Sequence, residues 1–270
     1  MESIIYTPIE IGLEKPVKIL QITDVHLTKT NDKDSEDHKK LEEQRYMTFY
    51  NEGSQPPKTP SEYFEEAVAM AEEMGALLMI TGDVMDIQTH GNIEEFHRIV
   101  DGHDCMFTPG GHEQQKRCVR TMEEPDNYWV GARRRLQEAF PEFDLDFSSR
   151  VINGVNIICL DNSLDHYNAE TIRRFKAEIE KGLPMVLFSH DPITCGALLA
   201  WEDAKIPYFT EEDYKMRHEM IDLIKSCPLV KAYFAGHWHG LIDQFVPDAN
   251  FRSYIAPGLF KGQCRLIELK

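Results

Sequence analysis

A chain of 270 residues is long enough to bury most of its apolar surface in one core, with no need for disulfide or metal staples. A hydrophobic share of 42% beside 28% charged residues excludes the disordered and fibrous classes. The formal charge of −17 argues against a surface built for long nucleic acids, because an acidic field repels a polyanion whose many phosphates must be neutralised.

No run approaches the roughly 20 apolar residues of a membrane-spanning helix, so no membrane partner is expected. Met1 to Pro16 mixes acidic with apolar residues and lacks the basic segment and long apolar run of a signal peptide, which points to a cytoplasmic location. The six cysteines, Cys105, Cys118, Cys159, Cys195, Cys227 and Cys264, are widely spaced and include no C-x-x-C pair, so a disulfide framework is not expected. Cys105, Cys159 and Cys264 lie in apolar runs and read as buried thiols. Arg133-Arg134-Arg135 is the one dense basic run, and it reads as a solvated helix face. The sequence specifies no oligomeric state.

In chain order, apolar runs alternate with amphipathic segments, which predicts layered sheets flanked by helices. Val17 to Thr23 is the first buried strand. Thr59-Pro60-Ser61-Glu62 has the form of a capping box with proline at the first helical position, opening a helix to about Met74. Ala76 to Thr81 is a strand, a helix starts near Asn92, and Cys105 to Thr108 is a short strand. Phe143 to Val151 and Val155 to Leu160 are strands joined at Asn153-Gly154, a strong hairpin signal. Ala169 to Glu180 is helical, Met185 to Ser189 is a strand, Glu212 to Ile224 is helical, and Lys231 to Ala235 is a strand. Leu241 to Val246, Phe251 to Ile255 and Cys264 to Leu269 complete the set. With no repeat and no linker, residues 1–270 read as one domain.

One segment breaks the compact pattern. Thr28 to Pro60 is polar and charged, with Tyr46, Met47, Phe49 and Tyr50 as its apolar knot, and a loop of that length is usually functional or disordered. It reads as a lid or specificity insert over residues 28–60, with a helix within Lys39 to Tyr50 and a floppy surface insertion as the alternative.

Five clusters sit at strand ends: Asp24-Val25-His26, Gly82-Asp83, Gly111-His112-Glu113, Ser189-His190 and Gly236-His237-Trp238-His239. Separate strands delivering Asp and His side chains to one place are what a metal site needs. A hydrolytic two-metal centre wants cations about 3.5–4 Å apart, joined by a carboxylate and an acidic water, and Asp83 suits the bridge. Asp24 and His26, two residues apart, follow the strand Val17 to Thr23, where a break into a loop lets both reach inward. His237 and His239 can bind one ion each or share one. Oxygen and nitrogen ligands without thiolate favour Mn, Fe, Zn, Co or Ni over a structural zinc site.

The ordered set D-x-H, G-D-x-x-D from Gly82 to Asp86, G-x-H-E, a lone His after a strand, and G-H-x-H resembles the calcineurin-like metallophosphoesterase superfamily, from Ile19 to about Pro257. The resemblance implies an α/β fold of the α+β type, a four-layer αββα sandwich of two mixed sheets with helices outside, and a dinuclear centre at the sheet edge. It implies Asp24, His26, Asp83 and His239 on one ion, and Asp83, His190 and His237 on the other. His112 matches the histidine that contacts the substrate phosphate and acts as general acid, and Asp86 a carboxylate behind the ligands. The implied reaction is in-line attack of a metal-bound hydroxide on phosphorus, with no covalent enzyme intermediate.

Gly111 departs from the pattern, which has an Asn ligand there. A water, Asn127 or Glu113 filling the position, a weak second ion, or lost catalysis are the consequences to weigh, and a weakened but working site is the favoured one. His90, Glu113 and Asn162, with Ser163, are candidates for substrate contact, the site rim or a place behind the ligands. Lone histidines such as His97 and His218 read as satisfied structural or surface groups. His103-Asp104 precedes its strand and so falls at the wrong end. The D-x-H form resembles the cyclic-nucleotide and phosphodiesterase branch more than purple acid phosphatases, so a small phosphoester, diester ahead of monoester, is the expected substrate. The rival function is a non-catalytic interaction protein on the same fold, its second site degraded at Gly111.

Overall fold

The computed structural model describes residues 1–114, 128–163, 167–193 and 210–270. Two mixed sheets lie face to face. The first, in the order β1-β11-β2-β3-β4, contains β1 (Ser3–Ile9), β2 (Val17–Ile22), β3 (Leu77–Thr81), β4 (Cys105–Thr108) and β11 (Gln263–Leu269). The second, in the order β5-β6-β7-β8-β10-β9, contains β5 (Phe147–Ile152), β6 (Val155–Leu160), β7 (Met185–Phe188), β8 (Val230–Ala235), β9 (Ile242–Phe245) and β10 (Arg252–Ile255). Strands β2, β3 and β4 are mutually parallel, as are β6, β7 and β8, and each of these runs ends at the edge where the five clusters begin.

Burial explains why these segments are strands. Every residue of β3, β6 and β7 is buried, the signature of central parallel strands covered on both faces. Ile19, Leu77, Met79 and Met106 of the first sheet pack against Ile157, Val186, Phe188 and Phe234 of the second, forming the inner layer. Outside the first sheet lie α2 (Pro60–Met74), α3 (His90–Val100) and α5 (Tyr128–Ala139); outside the second lie α6 (Ala169–Glu180) and α7 (Glu211–Ser226). Among the described residues, no helix is long and apolar enough to cross a membrane.

The capping box at Thr59 and Glu62 forms as the spacing predicts. Helix α3 starts at His90 rather than Asn92, because the Thr89 hydroxyl caps it by accepting the Asn92 N–H. Strand β5 starts at Phe147, since the Asp144 carboxylate accepts the Phe147 N–H and holds the preceding residues in a turn. β1 was not anticipated: it pairs in parallel with β11, at the far end of the chain, and no local pattern announces such a partner. The expected solvated face at Arg133 to Arg135 is also corrected. Arg133 pairs with Asp146 and Asp161 and Arg135 donates to Gln88, leaving Arg134 as the solvated member.

The segment over residues 28–60 contains α1 (Glu36–Glu52), which encloses the expected Lys39 to Tyr50 helix and is capped by the Ser35 hydroxyl on the His38 N–H. Its Phe49 is buried.

Candidate metal centre

The chain turns sharply where it delivers five of the six candidate ligands. Nine non-glycine residues among those described have positive φ, and five of them are Asp24 (51°), His26 (52°), Asp83 (49°), His237 (72°) and His239 (51°). Each such residue costs on the order of 1–3 kcal/mol, so the surrounding structure must hold them there, and strain of this kind gathers at functional sites. The turn after β2 thus ends the strand where Asp24 and His26, two residues apart, are delivered. Two glycines make the close approach feasible. A Cβ at Gly110 would sit 2.2 Å from Asp83 Oδ1, and one at Gly236 would sit 1.8 Å from Thr23 Oγ1.

The ligand candidates fall into two groups. Asp24, His26 and His239 bring one donor each within 4.8 Å of one another, and so do Asp83, His190 and His237. In the first, His239 Nε2 is 3.2 Å from Asp24 Oδ1 and 3.1 Å from His26 Nε2. In the second, His190 Nε2 is 3.0 Å from Asp83 Oδ2. His237 and His239 therefore divide between the two groups. Backbone bonds fix the carboxylates: the His112 N–H donates to Asp83 Oδ1 at 2.8 Å, and the His237 N–H to Asp24 Oδ2 at 3.0 Å. His190 Nδ1–H donates to the Thr81 carbonyl at 2.9 Å, which turns Nε2 toward Asp83 in the tautomer a metal ligand requires.

The residues fit divalent cations. Asp24 Oδ1 and His190 Nε2 are buried and have no hydrogen-bond partner among the described residues, although their neighbours lie 3.0–3.2 Å away. Donors that crowd together without bonding each other are aimed at a common point. Burial would raise the Asp24 carboxyl, but the His239 imidazole outweighs it and brings the pKa down to about 2. Burial would likewise raise Asp83, and the His190 and His112 imidazoles hold it well below the usual carboxylate range. Burial keeps His26 below its ordinary value, hence neutral and able to coordinate.

Around these groups stand further side chains. Asp86 Oδ1 lies 3.3 Å from His26 Nδ1 and 2.8 Å from His112 Nδ1, while Arg45 donates to both Asp86 oxygens at 2.5 and 2.9 Å. Burial would raise the Asp86 carboxyl, and Arg45, His112 and His26 together hold it well below the usual range. Phe49 stacks on His26 with ring centroids 3.8 Å apart, and Glu52 accepts from His239 Nδ1 at 2.7 Å. Helix α1 thus touches both histidines of the first group.

The other sequence candidates separate. Glu113 is wholly engaged as a clamp, accepting from the N–H groups of Asp83, Val84, Met85 and Gly110 at 2.5–3.1 Å, so it does not fill the position of the missing Asn; burial and the Asp83 charge push its pKa up to about 7. Asn127 lies outside the described residues. Gly111 is buried at the start of α4 (Gly111–Gln114). His90 stands apart from the cluster, exposed at the first turn of α3 with its N–H on Asp34. Asn162 binds the backbone of Asp191, accepting its N–H at 3.0 Å and donating to its carbonyl at 2.8 Å. His97 is satisfied by Asp101 and the Ala139 carbonyl, and His103 by Glu72, in line with bland roles.

Sequence reasoning missed Arg45, Phe49, Glu52 and Asp191. Phe49 belongs to the apolar knot of the insert, and Asp191 directly follows His190 at a strand end, so both left a trace. Nothing local marks Arg45 or Glu52, whose partners lie 41 and 187 positions away.

Parallel strand ends from two stacked sheets thus present two groups of Asp and His donors that could hold metal ions. The profile of the calcineurin-like phosphoesterases matches residues 17–241, and the chain belongs to that family. A dimetal phosphatase from Danio rerio shares the fold, at 12% identity and a TM-score of 0.51 over 91% of this chain and 88% of that one. A phosphopantetheinyl hydrolase from Mycobacterium tuberculosis aligns at 12% identity and a TM-score of 0.44, covering 94% of this chain and 91% of its own. A putative 5′-nucleotidase from Staphylococcus aureus aligns at 11% identity and a TM-score of 0.45 over 90% of this chain, which spans 49% of that protein. No curated protein sequence matches the chain significantly.

Proposed function

We propose that the protein is a metal-dependent phosphoesterase acting on a small phosphoester, diesters ahead of monoesters, at two divalent transition-metal ions drawn from Mn, Fe, Zn, Co and Ni. The observation that carries this reading is the pairing of two three-donor groups, Asp24–His26–His239 and Asp83–His190–His237, with His112 beside them. The Asp24, His26, Asp83 and His190 side chains are at most 2% exposed, whereas His112, His237 and His239 keep 11–19%. A substrate would therefore approach from the side of His112.

Asp24, His26 and His239 would hold one ion and His190 and His237 the other, with Asp83 between them. Two bound cations lower the pKa of a coordinated water and offset phosphoryl charge. The chain supplies the rest. Asp86 takes the Nδ1 proton side of His112, leaving Nε2, 3.9 Å from Asp83 Oδ2, to donate a proton to the leaving oxygen. Arg45 keeps Asp86 ionised for that task. The net charge of −17 disfavours long nucleic acid as substrate. A cytoplasmic setting, part of the same proposal, is in keeping with the free thiols at Cys105, Cys159, Cys227 and Cys264.

Elemental analysis of purified protein, followed by hydrolysis of bis(p-nitrophenyl) phosphate and p-nitrophenyl phosphate, tests the reading. Two ions per chain and turnover of the diester are expected. Protein that takes up no Mn, Fe or Zn overturns the metal centre; metal-loaded protein inert on both esters overturns the activity and favours a binding role.

A further inference from the structure

Gly111 deprives the Asp83–His190–His237 group of a side-chain oxygen, yet an oxygen stands beside that group. Asp191 Oδ1 is 3.3 Å from His237 Nδ1 and 4.0 Å from His190 Nε2, and His190 Nε2 is itself 3.0 Å from Asp83 Oδ2. Donors placed tetrahedrally at about 2.1 Å from an ion stand about 3.4 Å apart, within the range spanned here. The residue is also held for a purpose. Asn162 bonds both its N–H and its carbonyl, and the Ser189 hydroxyl donates to the same carbonyl at 2.7 Å. Three bonds on one loop residue immediately after β7 fix where its carboxylate starts.

We infer that Asp191 is a ligand of the second ion, its carboxylate taking the coordination position that Gly111 leaves without a side chain. The inference rests on the metal centre proposed above. It reverses the consequence expected from Gly111 alone: an anionic oxygen replaces a neutral one, so the second ion gains a carboxylate and is held firmly. Asn162 becomes the positioning residue for this ligand, acting through the Asp191 backbone.

The test compares wild-type, Asp191→Ala, Asp191→Asn and the double variant Asp191→Ala/Gly111→Asn, each stripped with a chelator and reloaded with Zn2+. Elemental analysis is expected to give two ions per chain in the wild type, one in Asp191→Ala, and two again in the double variant. An oxygen returned from a different chain position restores a ligand but not a merely structural contact. Should Asp191→Ala fail to fold, Asp191→Asn keeps the shape and the backbone bonds, and its second-site Zn2+ affinity should fall at least about tenfold. Anomalous diffraction from the wild type should show Asp191 Oδ1 at about 2.0–2.2 Å from an ion. Two ions in Asp191→Ala, unchanged affinity in Asp191→Asn, or an ion that Asp191 does not touch overturns the inference and leaves the metal centre standing. A wild type that binds no ion removes the centre itself.

Discussion

The two donor groups use the same side-chain types but are supported from different parts of the molecule. Behind Asp24, His26 and His239 stands helix α1, with Phe49 stacked on His26, Glu52 on His239, and Arg45 holding the Asp86 carboxylate that faces His26. Behind Asp83, His190 and His237 stand the sheets themselves, through the Thr81 carbonyl on His190 and the Asn162 and Ser189 bonds to Asp191. A group buttressed by an insert can be tuned by changing that insert. A group buttressed by central strands is rigid, and it tolerates a substitution such as Gly111 when a neighbouring loop supplies the missing atom.

The contrast can be broken first at Asp83, the carboxylate proposed to serve both ions. Asp83→Ala should then lower turnover on the order of 10^3-fold, with loss of metal from both positions by elemental analysis. His112→Ala removes a side chain that lies beside both donor groups without being one of the proposed ligands, so about a 10^2-fold loss of turnover with full metal content is expected. Metal loss in that variant would give His112 a coordinating role instead.

Smaller changes separate the two supports. Glu52→Ala removes the acceptor on His239 Nδ1, and metal affinity in the first group should fall about 10-fold to 100-fold while the second is unmoved. Equal loss at both positions would show that α1 supports the whole centre. Gly111→Asn in the otherwise wild-type chain should change second-site affinity less than about threefold, because Asp191 already fills the position. A large tightening, read by competition with a metal indicator, would mean that the position was open.

Much of this was legible because local chemistry writes it. The capping box at Thr59, the hairpin at Asn153-Gly154 and the largely apolar β6 depend on residues a few positions apart. The ligand motifs were legible too, since each is a short pattern at a strand end. The seven residues Asp24, His26, Asp83, His112, His190, His237 and His239 do converge in space. Their roles at metal and substrate remain part of the proposal. Which role Glu113 takes was not legible, because its four backbone bonds form only once the Asp83 turn has closed over it.

By itself the sequence determined most strands and helices, the family and the side chains offered at the sheet edge, because burial periodicity and short motifs are properties of neighbouring residues. Only the tertiary structure decided that β1 pairs with β11, and that α1 backs one donor group while Asp191 approaches the other. Those outcomes depend on distances between residues far apart along the chain. Such distances are set by how two sheets and an insert pack, which no local pattern records.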